Sequence, residues 1–270
     1  MKALCLTVDV DRDVNICIDG QLAAGSIDRG LGASPRFAST SKGLALLSEL
    51  LDEIGMKATF FAEARTLETI ECSNYLDGHE VGMHGLDHED LTGCNDVALT
   101  GDMIVAILDR ASQIVTDTVG TKPRCFRAPY MKTDDFVMGC LPGLGIEYDS
   151  SLYAPLSECL IPEKLDNGVT EVRVADDLDS EGKKMSAYLW PMHEGRRHPD
   201  HYLELASRAD KGVFTLATHT WHMCESRKDG RMDDARIREN MASLKKVLEE
   251  LIDMGFKPMV IPEAGDRFSK

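Results

Sequence analysis

Ala3-Leu4-Cys5-Leu6-Thr7-Val8-Asp9-Val10-Asp11 decides the fold. Residues 3–8 are a continuous apolar run closed by acid. That pattern suits a parallel strand buried on both faces, with polar groups only at its carboxyl end. Side chains two apart on extended chain point the same way, so Asp9 and Asp11 converge on one spot instead of straddling a sheet. One can bind a metal while the other accepts a proton. The plain alternative is a solvated acidic loop, Asp9-Val10-Asp11-Arg12-Asp13.

Outward from this strand the chain alternates between strand and helix patterns. Ser39-Thr40-Ser41 offers a helix cap, and Leu44, Leu47, Leu50, Leu51 and Ile54 recur at helical spacing before Gly55, a good stop. Residues 57–64 read as a second strand, 66–76 as a weaker helix, and Val81 and Met83 alternate around Gly82 as a short buried strand does. Such an order implies parallel pairing with right-handed crossovers. A broad apolar face over 96–118 marks another helix. Short strands follow at 124–130 and 146–151, with a helix at 134–141 between them. Residues 154–200 are the least regular, and the acidic run 176–181 reads as a solvated loop. An apolar strand enters a polar turn over 186–195, a strand covers 213–219, and a helix covers 237–252. A final strand at 258–261 is expected to close or nearly close the sheet.

His79, His84 and His88 place three of the chain's eight histidines within ten residues. His84 and His88 are four apart. After Gly85 the chain looks like a helical turn, and on such a turn the spacing stacks both imidazoles on one face, able to share a divalent ion. The third ligand then comes from the aspartates that end the first strand. Arg127, after a short strand, is positioned to keep Asp9 ionised, since a guanidinium lowers the pKa of a nearby carboxyl; a buried structural ion pair is the competing reading. Asp149 either supports a catalytic histidine or caps the next turn.

These stretches resemble the polysaccharide deacetylase family, the NodB-homology or carbohydrate esterase 4-like group. Residues 7–11 look like its first motif, 57–61 like the strand after its first helix, and 78–88 like its second motif. Arg127-Ala128-Pro129-Tyr130 resembles the third and Leu216-Ala217-Thr218-His219 the last. Val10 separates aspartates that are adjacent in the commonest first motif. The match is therefore closer to the Asp-x-Asp branch, which includes some peptidoglycan-deacetylase-like proteins and cyclic-amide hydrolases. The resemblance implies an α/β fold, a deformed, incomplete (β/α) barrel.

It also implies the roles. Asp11, His84 and His88 would hold a divalent metal, leaving positions for water and substrate oxygen. Zinc is the leading ion for this nitrogen and oxygen set, with cobalt, nickel, manganese or iron also able to fit. Asp9 would take a proton as activated water attacks an amide or ester carbonyl, and the Tyr130 backbone N–H would help bind the oxyanion. His219 would protonate the leaving group; its neighbour His222 is the alternative, and only the resemblance favours His219. Trp190 falls where the family presents a hydrophobic residue beside the acetyl pocket. Trp190, His193 and Asp149 are the candidates for substrate contact, against an ordinary core tryptophan for the first and an exposed loop histidine for the second.

The 270 residues, 43% hydrophobic, suffice for one large core, and a single domain over 1–270 is expected. A long irregular stretch over 12–40 interrupts it, with Arg36 and Phe37 its most contact-prone members; it is expected to cover the barrel mouth or reach a neighbouring subunit. A net charge of −16 gives no basic footprint for nucleic acid or an anionic membrane. No apolar run approaches a membrane span and no signal-peptide pattern opens the chain, so a cytoplasmic protein is expected, plausibly a homo-oligomer. The eight cysteines, without a C-x-x-C pair, read as reduced thiols.

The leading function is hydrolytic deacetylation of an N-acetylated amino sugar or related glycan, with a small-molecule or glycan substrate. Opening of a cyclic amide or imide, as by allantoinase, is the alternative, and a non-catalytic carbohydrate-binding protein is a third reading.

Overall fold

The computed structural model describes residues 1–93 and 96–269. Strand Lys2–Val10 lies inside a nine-stranded sheet, flanked by Gly212–His219 on one side and by Thr59–Ala62 on the other. From Thr59–Ala62 the sheet continues through Glu80–Met83, Cys125–Phe126 and Tyr148–Asp149 to Thr170–Glu171, all parallel; only the last strand, Glu163–Lys164, is antiparallel. The sheet curls into an incomplete barrel, as the family resemblance implies, with the parallel pairing that the strand and helix alternation predicts. Register places Asp9 beside His219 on one neighbour and beside Phe61 on the other, so both acid–base candidates leave the same end of adjacent strands.

Helices cover the outside. Helix Ala38–Ile54 buries Leu44, Leu47, Leu50 and Leu51, and Gly55 ends it in the left-handed conformation (φ 65°) that glycine adopts without penalty. Its start differs from expectation. No side chain of the Ser39-Thr40-Ser41 stretch caps it; the Asp13 carboxylate does so from across the loop, accepting the N–H groups of Ser39 (3.0 Å) and Thr40 (2.7 Å). Helix Gly101–Val119, capped by Thr100, and helix Asp234–Asp253, capped by Asp233, bury one apolar face each.

Two regions depart from the sequence reading. Strand Phe256–Pro258 pairs with residues 2–4 beside the first strand and does not close the barrel, and a helix, Ile261–Phe268, begins where the strand was expected to end. Pro262 in its first turn, which needs no N–H there, favours that start. Residues 154–200 are more ordered than their composition suggests. Tyr153–Ala154, Val174–Leu178 and Lys184–Ser186 form a small sheet, and a parallel bridge between Tyr188 and Ala217 lays the following residues along the outer edge of the Gly212–His219 strand. The acidic run is part strand, and its Asp179 is held in an ion pair with Arg197.

The 12–40 stretch folds back on its own chain. Asn15–Ile16 pairs with Gly25–Ser26, and the stretch is pinned by the buried Glu225, which accepts from Arg29 (3.0 Å), Arg36 (3.5 Å) and Ser39 (2.6 Å). The seven described cysteines are free thiols; Cys94 lies outside the described residues. No helix among the described residues is long and apolar enough to cross a membrane.

Candidate active site

Strand ends bring the reacting groups together around a cavity of about 160 Å³, lined by Asp9, Asn15, His84, His88, Tyr130, Met131, Tyr153, Tyr188, Trp190, His219 and Arg227. Of the residues singled out in the sequence, Asp9, His84, His88 and Tyr130 line it, and Asp11 and Arg127 sit behind the wall, hydrogen-bonded to Asn15 and Asp9 respectively. His84 closes the Glu80–Met83 strand, but the expected helical turn to His88 is absent. Gly85 (φ 75°) and His88 (φ 54°) both adopt left-handed backbone, and the Glu89 carboxylate gathers the N–H groups of Leu86 (3.0 Å) and Asp87 (2.9 Å). This tight loop, not a helix, sets the two imidazoles edge to face with centroids 4.9 Å apart.

One ligand atom from each of Asp11, His84 and His88 lies within 4.8 Å of the other two, and all three side chains are buried. The Arg127 carbonyl accepts from His84 Nδ1 at 2.8 Å, which fixes the tautomer that leaves the Nε2 lone pair available. Asp11 Oδ1 and His88 Nδ1 are buried without a hydrogen-bond partner. Burial holds His88 down to about 4 and lowers His84, so both rings are neutral. Burial, with the Asp9 and Glu63 carboxylates nearby, pushes Asp11 well above its usual range. Two neutral imidazoles and a costly buried carboxylate with an orphaned oxygen are the donor set a divalent cation satisfies. Asn15 donates to Asp11 Oδ2 and steadies it.

Asp9 is built differently. Arg127 Nη1 donates to its Oδ1 at 3.0 Å, and the Tyr188 hydroxyl donates to its Oδ2. Burial alone would raise its pKa, but Arg127, His84 and His219 together with the Tyr188 hydrogen bond outweigh this and hold it at about 2. Arg127 is itself fixed by Ser150, through the backbone carbonyl and the hydroxyl at 2.9 Å each, and its guanidinium lies 4.4 Å from the Phe61 ring centre. Tyr130 adopts φ 59° and sets its ring edge to face on His88, centroids 4.5 Å apart.

His219 Nε2 sits 3.2 Å from the Tyr188 hydroxyl, 4.0 Å from Asp9 and 3.9 Å from Asp11. Its Nδ1 meets His222 Nδ1 at 3.2 Å. His222 is fully buried behind it, so of the two candidates His219 is the one that reaches the cavity. Burial lowers both rings well below the ordinary histidine value.

Two expected substrate contacts are corrected. His193, neither exposed nor on the cavity wall, is buried with Nδ1 2.7 Å from Asn240 Oδ1 and Nε2 2.9 Å from Thr218 Oγ1; both ring nitrogens are occupied in the core. Asp149 is buried beneath the wall, accepting from the Ser151 hydroxyl (2.7 Å) and backbone (3.3 Å), next to Glu171. Trp190 does line the cavity. Tyr188, which contacts both Asp9 and His219, is a cavity residue that sequence reasoning passed over. Its one signal is its place two residues before Trp190 in the same apolar stretch.

A family model described as polysaccharide deacetylase matches residues 38–148. That match covers less than half of the chain and marks a resemblance to the family. The matched segment carries His84, His88, Arg127 and Tyr130, while Asp9, Asp11 and His219 come to the site from outside it. The chain is 35% identical over 104 residues to chitin deacetylase 1 of Cryptococcus neoformans, covering 37% of this chain and 21% of that protein. It is 29% identical over 136 residues to a peptidoglycan deacetylase of Helicobacter pylori, covering 49% and 43%. It thus spans less than half the length of these curated relatives. A crystal structure from Mycobacterium smegmatis assigned to the polysaccharide deacetylases superposes with a TM-score of 0.67 at 20% identity, over 99% of this chain and 90% of that one; the two share the fold.

Proposed function

We propose that the protein hydrolyses the acetyl group from an N-acetylated amino sugar or related glycan, with a divalent metal held by Asp11, His84 and His88. The observation that carries this reading is the pairing of two unlike aspartates: Asp9 held ionised by Arg127 and Tyr188, Asp11 buried with an orphaned oxygen beside two neutral imidazoles. A divalent ion, zinc by preference for this donor set, supplies Lewis acidity to water and to the acyl oxygen.

The chain's own groups do the rest. Asp9, ionised at neutral pH, takes the proton from the attacking water. Arg127 holds the direction of that carboxylate and keeps it charged between turnovers. The Tyr130 backbone N–H faces the acyl oxygen as its negative charge develops. His219, the histidine that reaches the cavity, delivers a proton to the leaving nitrogen through Nε2, and the Tyr188 hydroxyl steadies both His219 and Asp9. Trp190 forms an apolar wall for the acetyl methyl.

The names of the curated relatives, chitin and peptidoglycan deacetylases, support amide deacetylation and give no support to cyclic-amide opening. The test is acetate release from N-acetylglucosamine monomers and oligomers, with Asp9→Asn as control. Metal- and Asp9-dependent acetate is expected, and its dependence on oligomer length describes the groove. Absence of acetate with every substrate from folded, metal-loaded protein overturns the reading.

A further inference from the structure

One charge on the cavity wall has no counterpart. The side chain of Arg227 lines the cavity with Asp9, Trp190 and His219, yet its guanidinium makes neither an ion pair nor a hydrogen bond among the described residues; its polar contacts are through the backbone. Arg12 is committed to Glu63, Arg127 to Asp9, and Arg29 and Arg36 to Glu225; Arg196 stacks over Trp190 at 5.4 Å without an ion pair among the described residues, but it does not line the cavity. In a chain with net charge −16, a spare cation at a cavity mouth stands out.

Its surroundings are rigid. The Arg227 N–H donates to Glu194 Oε1 at 2.6 Å, and its carbonyl accepts from Arg29 at 3.0 Å, so the root of an exposed side chain is tied on both sides. The guanidinium lies 5.4 Å from the ring centre of Trp221, which is fully buried and offers a fixed floor. A cation so placed loses little freedom when it binds, the condition under which a single charged contact contributes most to affinity.

We propose that Arg227 recognises a carboxylate on the substrate, so that the preferred substrate is an N-acylated sugar acid and not a neutral amino sugar. The inference rests on the deacetylase reading above and narrows its substrate class. A planar guanidinium presents parallel donors that match a carboxylate. One cation balances one negative charge, whereas a phosphate monoester would bring nearly two against a wall that already holds Asp9 and Asp11.

N-acetylmuramic acid and N-acetylglucosamine differ by a lactyl carboxylate and serve as the paired probes. Both tryptophans of the chain stand at the site, Trp190 on the wall and Trp221 under Arg227, so intrinsic fluorescence reports binding without turnover. Zinc-loaded wild type is expected to bind the acid at least about tenfold more tightly than the neutral sugar. That preference should shrink in about 0.5 M salt, disappear in Arg227→Ala and persist in part in Arg227→Lys. The ratio of kcat/KM for acetate release from the two probes should follow the same order. Equal binding of both probes by wild type, or a preference within about twofold of wild type in Arg227→Ala, overturns the assignment. The two failures separate. A binding preference without acetate from either probe or from N-acetylglucosamine oligomers leaves Arg227 as assigned and sinks the deacetylase reading; equal acetate release from both probes by wild type does the reverse.

Discussion

Asp9, Asp11 and Asp13 alternate along five residues and are held in three different ways: Asp9, the proposed base, is paired with Arg127; Asp11, the proposed metal ligand, is buried beside His84 and His88; and Asp13 caps a remote helix. The first two roles should come apart in one experiment. Asp9→Asn should lower acetate release by roughly 10²–10⁴-fold while still binding one zinc per chain, and Asp11→Asn should lose the zinc as well; equal zinc loss in both would mean that Asp9 is a ligand. A second residue-level prediction concerns His193, held at about 4 by burial although its Nδ1 bond to Asn240 opposes the shift. The folded value lies below the unfolded value of 6.5, so the unfolded chain binds more protons between them. The stabilisation is complete above 6.5 and is lost as pH falls toward 4, by about 3 kcal/mol for this group. His193→Gln should flatten the acid side of the stability curve over that window; an unchanged slope in denaturant melts would show that His193 titrates normally. At this scale the sequence disclosed residues whose chemistry is conspicuous by type and spacing. It did not disclose Tyr188 or Arg227, whose roles depend on strands and loops meeting from distant parts of the chain.

Helix Ala38–Ile54 lies so close to the segment after His219 that a Cβ on Gly43 would sit 1.9 Å from the Thr220 carbonyl oxygen. Gly43→Ala must therefore push the helix away from the segment that follows His219 and carries His222. A loss of at least about 1–3 kcal/mol is expected from such overpacking, with lower activity in whatever folds; a melting temperature and rate equal to wild type would show that the helix can slide freely. Asp13→Ala should cost about 0.5–2 kcal/mol by uncapping the same helix, measured by chemical denaturation. The long helices and the parallel strands were legible because their apolar periodicity extends over several turns or a full strand. The small sheet within 154–200 was not, because its strands run from two to five residues and their partners lie outside local sequence. The loop from His84 to His88 misled for a related reason: an i, i+4 spacing fits a helix, but the Glu89 carboxylate and two left-handed residues set a different turn.

Across the whole molecule, the incomplete barrel gathers strand ends from residues 9 to 219 onto one face, and the orphaned Asp11 oxygen is where the proposed cation would bind. Metal should therefore stabilise the fold, by about 2.7 kcal/mol when free zinc is 100 times its dissociation constant. The most direct measurement of the central claim is acetate release from N-acetylated amino sugars as zinc is added back to metal-stripped protein. The rate should rise from near zero and level off at one equivalent per chain in wild type, and stay flat in His84→Ala. A rate independent of zinc, or no acetate from any N-acetylated sugar at full zinc occupancy, would contradict the account.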